Sequence, residues 1–290
     1  MSDFVLHDHY FDPESGRISS YFCQLFVLIG QESLQYSILD TEKNSFIALA
    51  DYRLPVLPKT PELFYSQLDR LISEEEVLHK KYPSVVVAID SHLHTLVPSS
   101  LFDNTQMNKY LAFNFSLPQN YEVKSDRVEE IDAFNLYGFS EDIINFIRKN
   151  FQGAALIHRS TALIKAMYQY HQINPDPSGI FLNVRDQYID LLYFDGNRLA
   201  YFNSFPCRSD EDILYFTLYT FGQLNLRPDT VHLFLSGMID PGSGLFKLLE
   251  EYIQTITFTD RLKNFGYSPL ADQVPSHHYQ ELFALALCGL

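Results

Sequence analysis

Hydrophobic positions along this chain fall into short runs separated by turn-forming residues, and the order of those runs occurs twice. From Tyr21 to Ile29 apolar side chains dominate, Gly30-Gln31-Glu32 supplies turn chemistry, and Ser33 to Asp40 follows in near-alternation. Thr41-Glu42-Lys43-Asn44 makes a second turn-rich connection before another apolar run, Ser45 to Tyr52. Period-two patterns bounded by turn residues predict strands, so the stretch predicts an antiparallel meander. Pro55 and Pro58 end it. Thr60-Pro61 then offers an N-cap and a first-turn proline to a helix, whose apolar positions Phe64, Leu68, Leu71, Ile72 and Leu78 recur at helical spacing. Ser84 to Ile89 is almost wholly apolar, the pattern of a strand covered on both faces.

The second half follows the same order. Gly179 to Val184 and Tyr188 to Phe194 predict two strands, Asp195-Gly196 predicts a hairpin turn, and Arg198 to Phe205 predicts the third strand. Pro206 closes it. Ser209 caps a helix whose acidic first turn, Asp210-Glu211-Asp212, complements the positive end of the helix dipole. Val231 to Leu235 matches the earlier buried strand. FVLIGQESLQYSILD from Phe26 and FLNVRDQYIDLLYFD from Phe181 align without a gap and end on equivalent aspartates, Asp40 and Asp195. An ordered set of elements occurring twice points to duplication.

Between the repeats, Gln119 to Val128 and Ala133 to Tyr137 predict strands, and Ser140-Glu141-Asp142 starts a helix running to about Asn150. A short strand, Ala154 to Ile157, and a helix from about Ser160 to Tyr170 follow. Asn174-Pro175-Asp176-Pro177-Ser178-Gly179 is the clearest breaker, but the helix before it belongs with the second repeat. The expected division is therefore two halves, residues 1–150 and 151–290.

Composition narrows the function classes. The 290 residues carry a formal net charge of −15, and the basic residues are dispersed, with no run longer than Lys80-Lys81. Phosphate contacts need clustered Lys and Arg, so no nucleic-acid partner is expected. Cys23, Cys207 and Cys288 stand apart with no C-x-x-C, as in a reducing compartment. The N-terminal MSDFVLHDHYFDPESGR has no basic segment leading into an apolar one. The longest apolar run near it, Leu25 to Ile29, falls far short of the ~20 residues that span a bilayer. A cytoplasmic protein without membrane insertion is expected.

A duplicated meander-helix-strand unit resembles the core of the actin-like ATPase superfamily, which is a duplicated ribonuclease-H-like α/β fold of two mixed sheets flanked by helices. FLNVRDQYIDLLYFDGNRLAYFNSFP resembles that superfamily's second phosphate hairpin. VHLFLSGMIDPGSGLFKLLEEY resembles its adenosine-holding strand-turn-helix, and ELFALALCGL is similar to the closing helix of the pilus-assembly and cell-division branch. The whole chain, through HTLVPSSLFD and YLAFNF above all, resembles an uncharacterised Bacteroidetes family assigned an actin-like fold.

The resemblance implies a nucleotide cleft lined by Gly30, Gln31 and Glu32 from the first half and by Asn183, Arg185, Asp186, Ser236 and Gly237 from the second. ATP is the candidate ligand. Chemistry argues against turnover. A D-x-G turn uses its carboxylate to organise hydrated Mg²⁺ and its glycine to admit phosphate. LIGQES keeps Gly30 without an acid on the strand, and NVRDQY places Asn183 where the acid belongs and Arg185 where the glycine belongs. In the segment Leu156 to Ala162, which resembles the connecting-helix entry of chaperone ATPases, Arg159 replaces the usual acid. No catalytic residue and no metal ligand set is assigned: Walker A, H-E-x-x-H and G-x-S-x-G motifs are all absent. His92 and His94, expected on one strand face, and the adjacent His277 and His278 lack companions at ligand spacing, and edge or capping histidines are the plainer reading.

Two functions remain open. One is a non-catalytic actin-like binding or assembly scaffold that works through a protein partner or through self-association, with the second meander (Tyr188, Tyr193, Tyr201, Phe202) as its surface. The other is a nucleotide-dependent phosphotransferase or ATPase drawing carboxylates from Asp90, Asp186 or Glu32. A Ser-Gly turn such as Ser236-Gly237 is also an ordinary loop start.

Overall fold

Strands that read as continuously apolar must be covered on both faces, and the two main sheets are built around such strands. The computed structural model describes residues 3–13, 18–56, 58, 60–174 and 179–288. Strands β1 (Val5–Phe11), β2 (Cys23–Ile29), β3 (Ser33–Asp40) and β4 (Ser45–Arg53) lead to helices α1 (Pro61–Glu74) and α2 (Glu76–His79) and strand β5 (Ser84–Ile89). Next come β6 (His94–Pro98), α3 (Met107–Asn114), β7 (Tyr121–Val128), β8 (Ala133–Ser140), α4 (Glu141–Asn150), β9 (Ala155–His158) and α5 (Arg159–Ile173). The second repeat is β10 (Gly179–Val184), β11 (Tyr188–Asp195), β12 (Arg198–Pro206), α6 (Asp210–Gln223), β13 (His232–Gly237), α7 (Gly244–Glu250) and β14 (Thr255–Phe258). A short β15 (Gly266–Tyr267) and α8 (Gln280–Ala284) close the chain.

These elements form two compact units, Met1–Leu163 with Lys263–Val274 and Glu281–Leu290, and Ile164–Leu262 with Pro275–Gln280. Among the described residues no helix is long and apolar enough to cross a membrane.

The first unit's main sheet runs β1-β4-β3-β2-β5-β9, and the second unit's runs β12-β11-β10-β13-β14. Positions two to six of the first order correspond one for one to the whole of the second. Register makes the correspondence sharper. Phe26 pairs with Ser37 across β2–β3, and Phe181 pairs with Leu192 across β10–β11, the same offset along the aligned repeats. Ile29 sits beside Ile89 in the parallel pair β2–β5, and Val184 beside Gly237 in β10–β13. Even the irregularities coincide. A bulge follows Ile38 in β3–β4 and a bulge follows Tyr193 in β11–β12, leaving Ile47 and Ala200 as the extra residues. Bulges re-aim and twist a strand, so a shared one is a structural feature that duplication copied.

Local chemistry agrees with the expected elements. Thr60 Oγ1 accepts from Leu63 N (3.4 Å) and starts α1, which buries Leu68, Leu71 and Ile72. Ser209 Oγ accepts from Asp212 N (3.2 Å) at the start of α6. All six residues of β10 are buried, between core residues such as Ile213 and Phe221 on one face and Phe194 and Phe234 on the other.

Several expectations need correction. The N-terminal stretch, for which the sequence predicts no element, forms β1, antiparallel to β4 from Val5–Arg53 to Phe11–Ala48. A bulge between Leu6 and Asp8 breaks its alternation, which hides it from a period-two reading. The strand expected from Gln119 begins at Tyr121, and the closing helix at ELFALALCGL is shorter, passing from α8 into a 3₁₀ turn at Leu285–Leu287. His92 precedes β6 and shares no strand with His94. The Pro175 to Ser178 breaker lies outside the described residues.

The return of the chain to the first unit is held by one aromatic side chain. Phe46 of β4 is fully buried and meets Phe26 (6.1 Å between centroids), Phe265 (5.3 Å), Tyr267 (5.5 Å) and Phe283 (4.8 Å). β15 pairs alongside it, Tyr267 opposite Phe46. Phe46→Ala is therefore expected to cost about 3–5 kcal/mol. Urea unfolding monitored by circular dichroism measures it, and a loss under ~1 kcal/mol would show that the C-terminal segment is held some other way.

Candidate functional site

The polar side chains around the turn between β10 and β11 converge. Asn183, buried on β10, donates through Nδ2 to Asp190 Oδ2 (3.2 Å) and accepts at Oδ1 from Ser236 Oγ (3.0 Å) of β13. Arg185 donates through Nε to Asp190 Oδ2 (3.1 Å) and through Nη2 to Oδ1 (3.4 Å). Ser204 Oγ of β12 closes the ring on Asp190 Oδ1 (2.5 Å). Asp190 itself is fully buried. Its oxygens thus accept from an amide, a guanidinium and a hydroxyl, which uses a carboxylate's acceptor sites and neutralises its charge.

The backbone beside this cluster is tight. Gly237 has φ +81°, and a Cβ there would come within 2.1 Å of Val184 O and 2.8 Å of Asn183 Oδ1. Met238 N donates to Val184 O (2.8 Å), and Gly237 N to His277 O (3.0 Å). Ser236-Gly237 is thus more than a loop start, because the close approach of β13 to β10 requires the glycine. Asp186 and Gln187 project from the turn, exposed.

The equivalent turn of the first unit is plainer. Gly30 N donates to Ser33 O (2.9 Å), Glu32 O accepts from Leu54 N (2.7 Å), and Gln31 is exposed. The unit's charged chemistry lies instead where β5 and β9 end. Arg159 at the start of α5 is 1% exposed and donates through Nε to Asp90 Oδ1 (2.8 Å) and through Nη1 to Glu281 Oε1 (2.7 Å). Asp90 follows β5 directly, with its N–H on Ile29 O (3.1 Å).

His158 lies one residue before Arg159 and is fully buried. Its Nε2 is 2.8 Å from Ser91 O and its Nδ1 is 2.6 Å from Ser160 Oγ. This arrangement suits a neutral ring that donates from Nε2 and accepts at Nδ1. Burial, then the nearby His94 and Arg159, push its pKa well below the ordinary value. Asp126 accepts from His158 N (2.8 Å), Thr161 Oγ1 (2.7 Å) and Tyr137 Oη (2.8 Å). Burial raises its pKa, and those donors oppose the rise. Among the described residues no cluster of three or more His, Cys, Asp or Glu is arranged to hold a metal ion.

The family model described as "Protein of unknown function (DUF3822)" matches residues 13–256. The chain belongs to that family. A search of the curated proteins finds no match. Among solved structures, a Bacteroides thetaiotaomicron VPI-5482 protein described as having an actin-like ATPase fold and unknown function is similar, with a TM-score of 0.77 at 20% identity. The similarity covers 93% of this chain and 97% of that one. The PilM–PilN type IV pilus biogenesis complex matches with TM-score 0.57 at 13% identity over 91% of this chain and 97% of that one. The ethanolamine utilization protein EutJ from Carboxydothermus hydrogenoformans gives 0.51 at 10% identity, covering 92% of this chain and 90% of that one. These likenesses show the actin-like ATPase fold, the class expected from the sequence.

In this DUF3822 chain the sequence reading found Asn183, Arg185, Ser236 and Gly237, which the structure brings together. Gly30, Gln31 and Glu32 share a turn of the other unit. Asp190, Ser204 and Glu281 went unnoticed. Asp190 did leave a signal, since it is the lone charge inside the apolar run YIDLLYF.

Two outcomes follow. Arg159→Met leaves Asp90 and Glu281 without their shared cation and is expected to cost about 3–5 kcal/mol. Adding Asp90→Asn and Glu281→Gln should recover part of it in denaturant melts, and no recovery would show that the loss is one of packing. The second outcome concerns pH. Below about pH 6.5 the unfolded chain protonates His158's imidazole while the folded chain does not, so stability falls as pH falls, by up to ~1.4 kcal/mol per unit. His158→Gln removes that dependence, and an unchanged acid limb in this variant would assign the titration elsewhere.

Proposed function

We propose that this chain is a non-catalytic actin-like scaffold of the cytoplasm that works by binding protein, its own kind or a partner, and holds a nucleotide or anion at most without turnover. The observation that carries this reading is the occupation of its acids by arginine. At the β10–β11 turn Arg185 neutralises Asp190, and at the end of β5 Arg159 holds both Asp90 and Glu281. Mg²⁺-assisted phosphoryl transfer needs carboxylates free to order a hydrated cation, which supplies several kcal/mol of transition-state stabilisation. A carboxylate already bonded to a guanidinium has little charge and few lone pairs left for that cation.

The fold shared with the PilM–PilN type IV pilus biogenesis complex supports the protein-binding part, since that structure is itself a complex of two proteins. The net charge of −15 and the dispersed basic residues favour a protein partner over nucleic acid. Gly30, Gln31, Glu32, Asn183, Arg185, Asp186, Ser236 and Gly237 are the residues proposed to contact any bound anion.

A thermal melt with and without Mg-ATP tests the ligand question, because a ligand at 100 times its dissociation constant adds roughly 2.7 kcal/mol. Steady-state phosphate release tests turnover. We expect no release above background from the wild-type chain. Release that disappears in Asn183→Ala would overturn the scaffold reading. Asn183→Asp with Arg185→Gly is expected to improve Mg-ATP binding by restoring an acid and a glycine to the turn.

A further inference from the structure

A surface helix normally turns its apolar side inward and a charged or polar side outward. The outer side of α6 departs from that pattern. Ile213, Thr217, Thr220 and Phe221 are buried, and the row opposite them, Glu211, Tyr215, Tyr219 and Gly222, is exposed. Spacings of three and four residues place those four positions one above another along the helix. Tyr215 is 61% exposed and Tyr219 46%. Their rings stack on each other (6.1 Å between centroids, 20°), and neither hydroxyl has a hydrogen-bond partner among the described residues. Gly222 leaves the far end of the row bare, since a Cβ there would meet nothing within 4 Å.

The row is supported from beneath. Tyr215 meets Phe216 edge-on (5.2 Å), and Phe216 stacks on Phe205 of β12 (4.5 Å, 15°). The aromatic residues of the second meander, Tyr188, Tyr193, Tyr201 and Phe202, are only half-buried or less open than this row, and Tyr193 and Tyr201 pack on the unit's own core. The exposed aromatic surface of the second unit therefore lies on α6 rather than on the meander.

We propose that the outer face of α6 docks a cationic protein segment, with Tyr215 and Tyr219 stacking on its guanidinium or ammonium groups and Asp210 and Glu211 pairing with them. Charge selects that occupant. From Ser209 to Leu226 the chain carries Asp210, Glu211 and Asp212 and no Lys, Arg or His. Asp212 is taken up by the cap, where its Oδ2 accepts from Arg208 N (2.8 Å) and its N–H donates to Ser209 Oγ (3.2 Å). Glu211 is held below its ordinary pKa by its own backbone N–H and by the Ser209 hydroxyl, so it is ionised at neutral pH. Asp210 is exposed and lies beside the start of α7, where a Cβ on Gly244 would come within 3.3 Å of Asp210 Oδ2.

Nucleic acid or an anionic lipid surface would set phosphates against these carboxylates. A second copy would bring an α6 with the same acids and no cation. A segment rich in Arg or Lys answers both halves of the face, because such groups stack on aromatic rings and pair with carboxylates, the planar guanidinium best of all. Large aromatics left in water beside complementary charge are what an interface centre needs.

This inference rests on the scaffold reading and names the chemistry of its partner. The probes are two labelled amphipathic helical peptides, alike except that one sets Arg and the other Lys beside Leu. Each is titrated with the full chain and followed by fluorescence anisotropy. The Arg peptide is expected to bind with a dissociation constant on the order of micromolar, and the Lys peptide more weakly. Tyr215→Ser with Tyr219→Ser leaves the charge unchanged and should weaken the Arg peptide about tenfold or more, whereas Tyr215→Phe with Tyr219→Phe should keep it. Asp210→Asn with Glu211→Gln should weaken it as well. Glu76→Gln with Glu129→Gln, which removes two exposed acids of the first unit, should not. A folded circular dichroism signal for every variant excludes misfolding as the cause.

A wild type that binds neither peptide overturns the inference, and so does binding that survives the loss of both tyrosines. Equal weakening by the first-unit pair would show general attraction to a chain of net charge −15 and overturns it too. Sedimentation velocity without peptide covers the other occupant: a wild-type dimer that Tyr215→Ser with Tyr219→Ser splits assigns the face to a second copy instead. Phosphate release assayed on the same samples keeps the two readings apart. Turnover sinks the scaffold, whereas an inactive chain that ignores both peptides sinks only the α6 surface.

Discussion

Everything in each unit is organised by one strand that is antiparallel to its neighbour on one side and parallel on the other. β2 lies between β3 and β5, and β10 between β11 and β13. A strand in that position has its backbone groups taken up on both edges and its side chains covered on both faces, so it tolerates neither charge nor register error. The hairpin partner fixes one register and the parallel partner the other. Once both are set, the ends of β2 and β10 are brought beside the ends of β5 and β13. It is at those ends that Asp90 and Gly237 are found.

The same constraint explains why the polar clusters are so fully bonded. Asp190 inside β11 is fully buried and Asp90 after β5 is largely so, and a buried charge persists only with a partner and filled hydrogen bonds. Asp190 gains Arg185, Asn183 and Ser204, while Asp90 gains Arg159. Here the cation is covalently part of the chain.

The two copies of the repeat have diverged most where they meet the outside. The first unit closes its edge with β1 and a C-terminal strand clasped around Phe46, and it inserts the small β6-β8-β7 sheet after β5. The second keeps the bare five strands. Identical hairpin register and a bulge in the same place show how much the cores have been held in common. Interior strands must keep pairing and packing at once, whereas an edge answers only to solvent or a partner.

Sequence by itself determined the elements whose signal is local. The meanders, the buried strands, Thr60 and Ser209 as caps, and the gapless match of Phe26–Asp40 with Phe181–Asp195 all follow from periodicity, turn residues and capping chemistry. The absence of an acid at Asn183 was equally plain. What tertiary structure decided were relations across long separations. Arg159 and Glu281 stand far apart in the chain and meet only because the C-terminal segment returns to the first unit. Asp190 reads as an ordinary strand residue until the β10–β11 register sets it opposite Asn183. β1 hid behind its own bulge, and the place of β12 at the end of its sheet has no local signature at all. An edge is a property of which strand comes last, and sequence periodicity carries no information about neighbours.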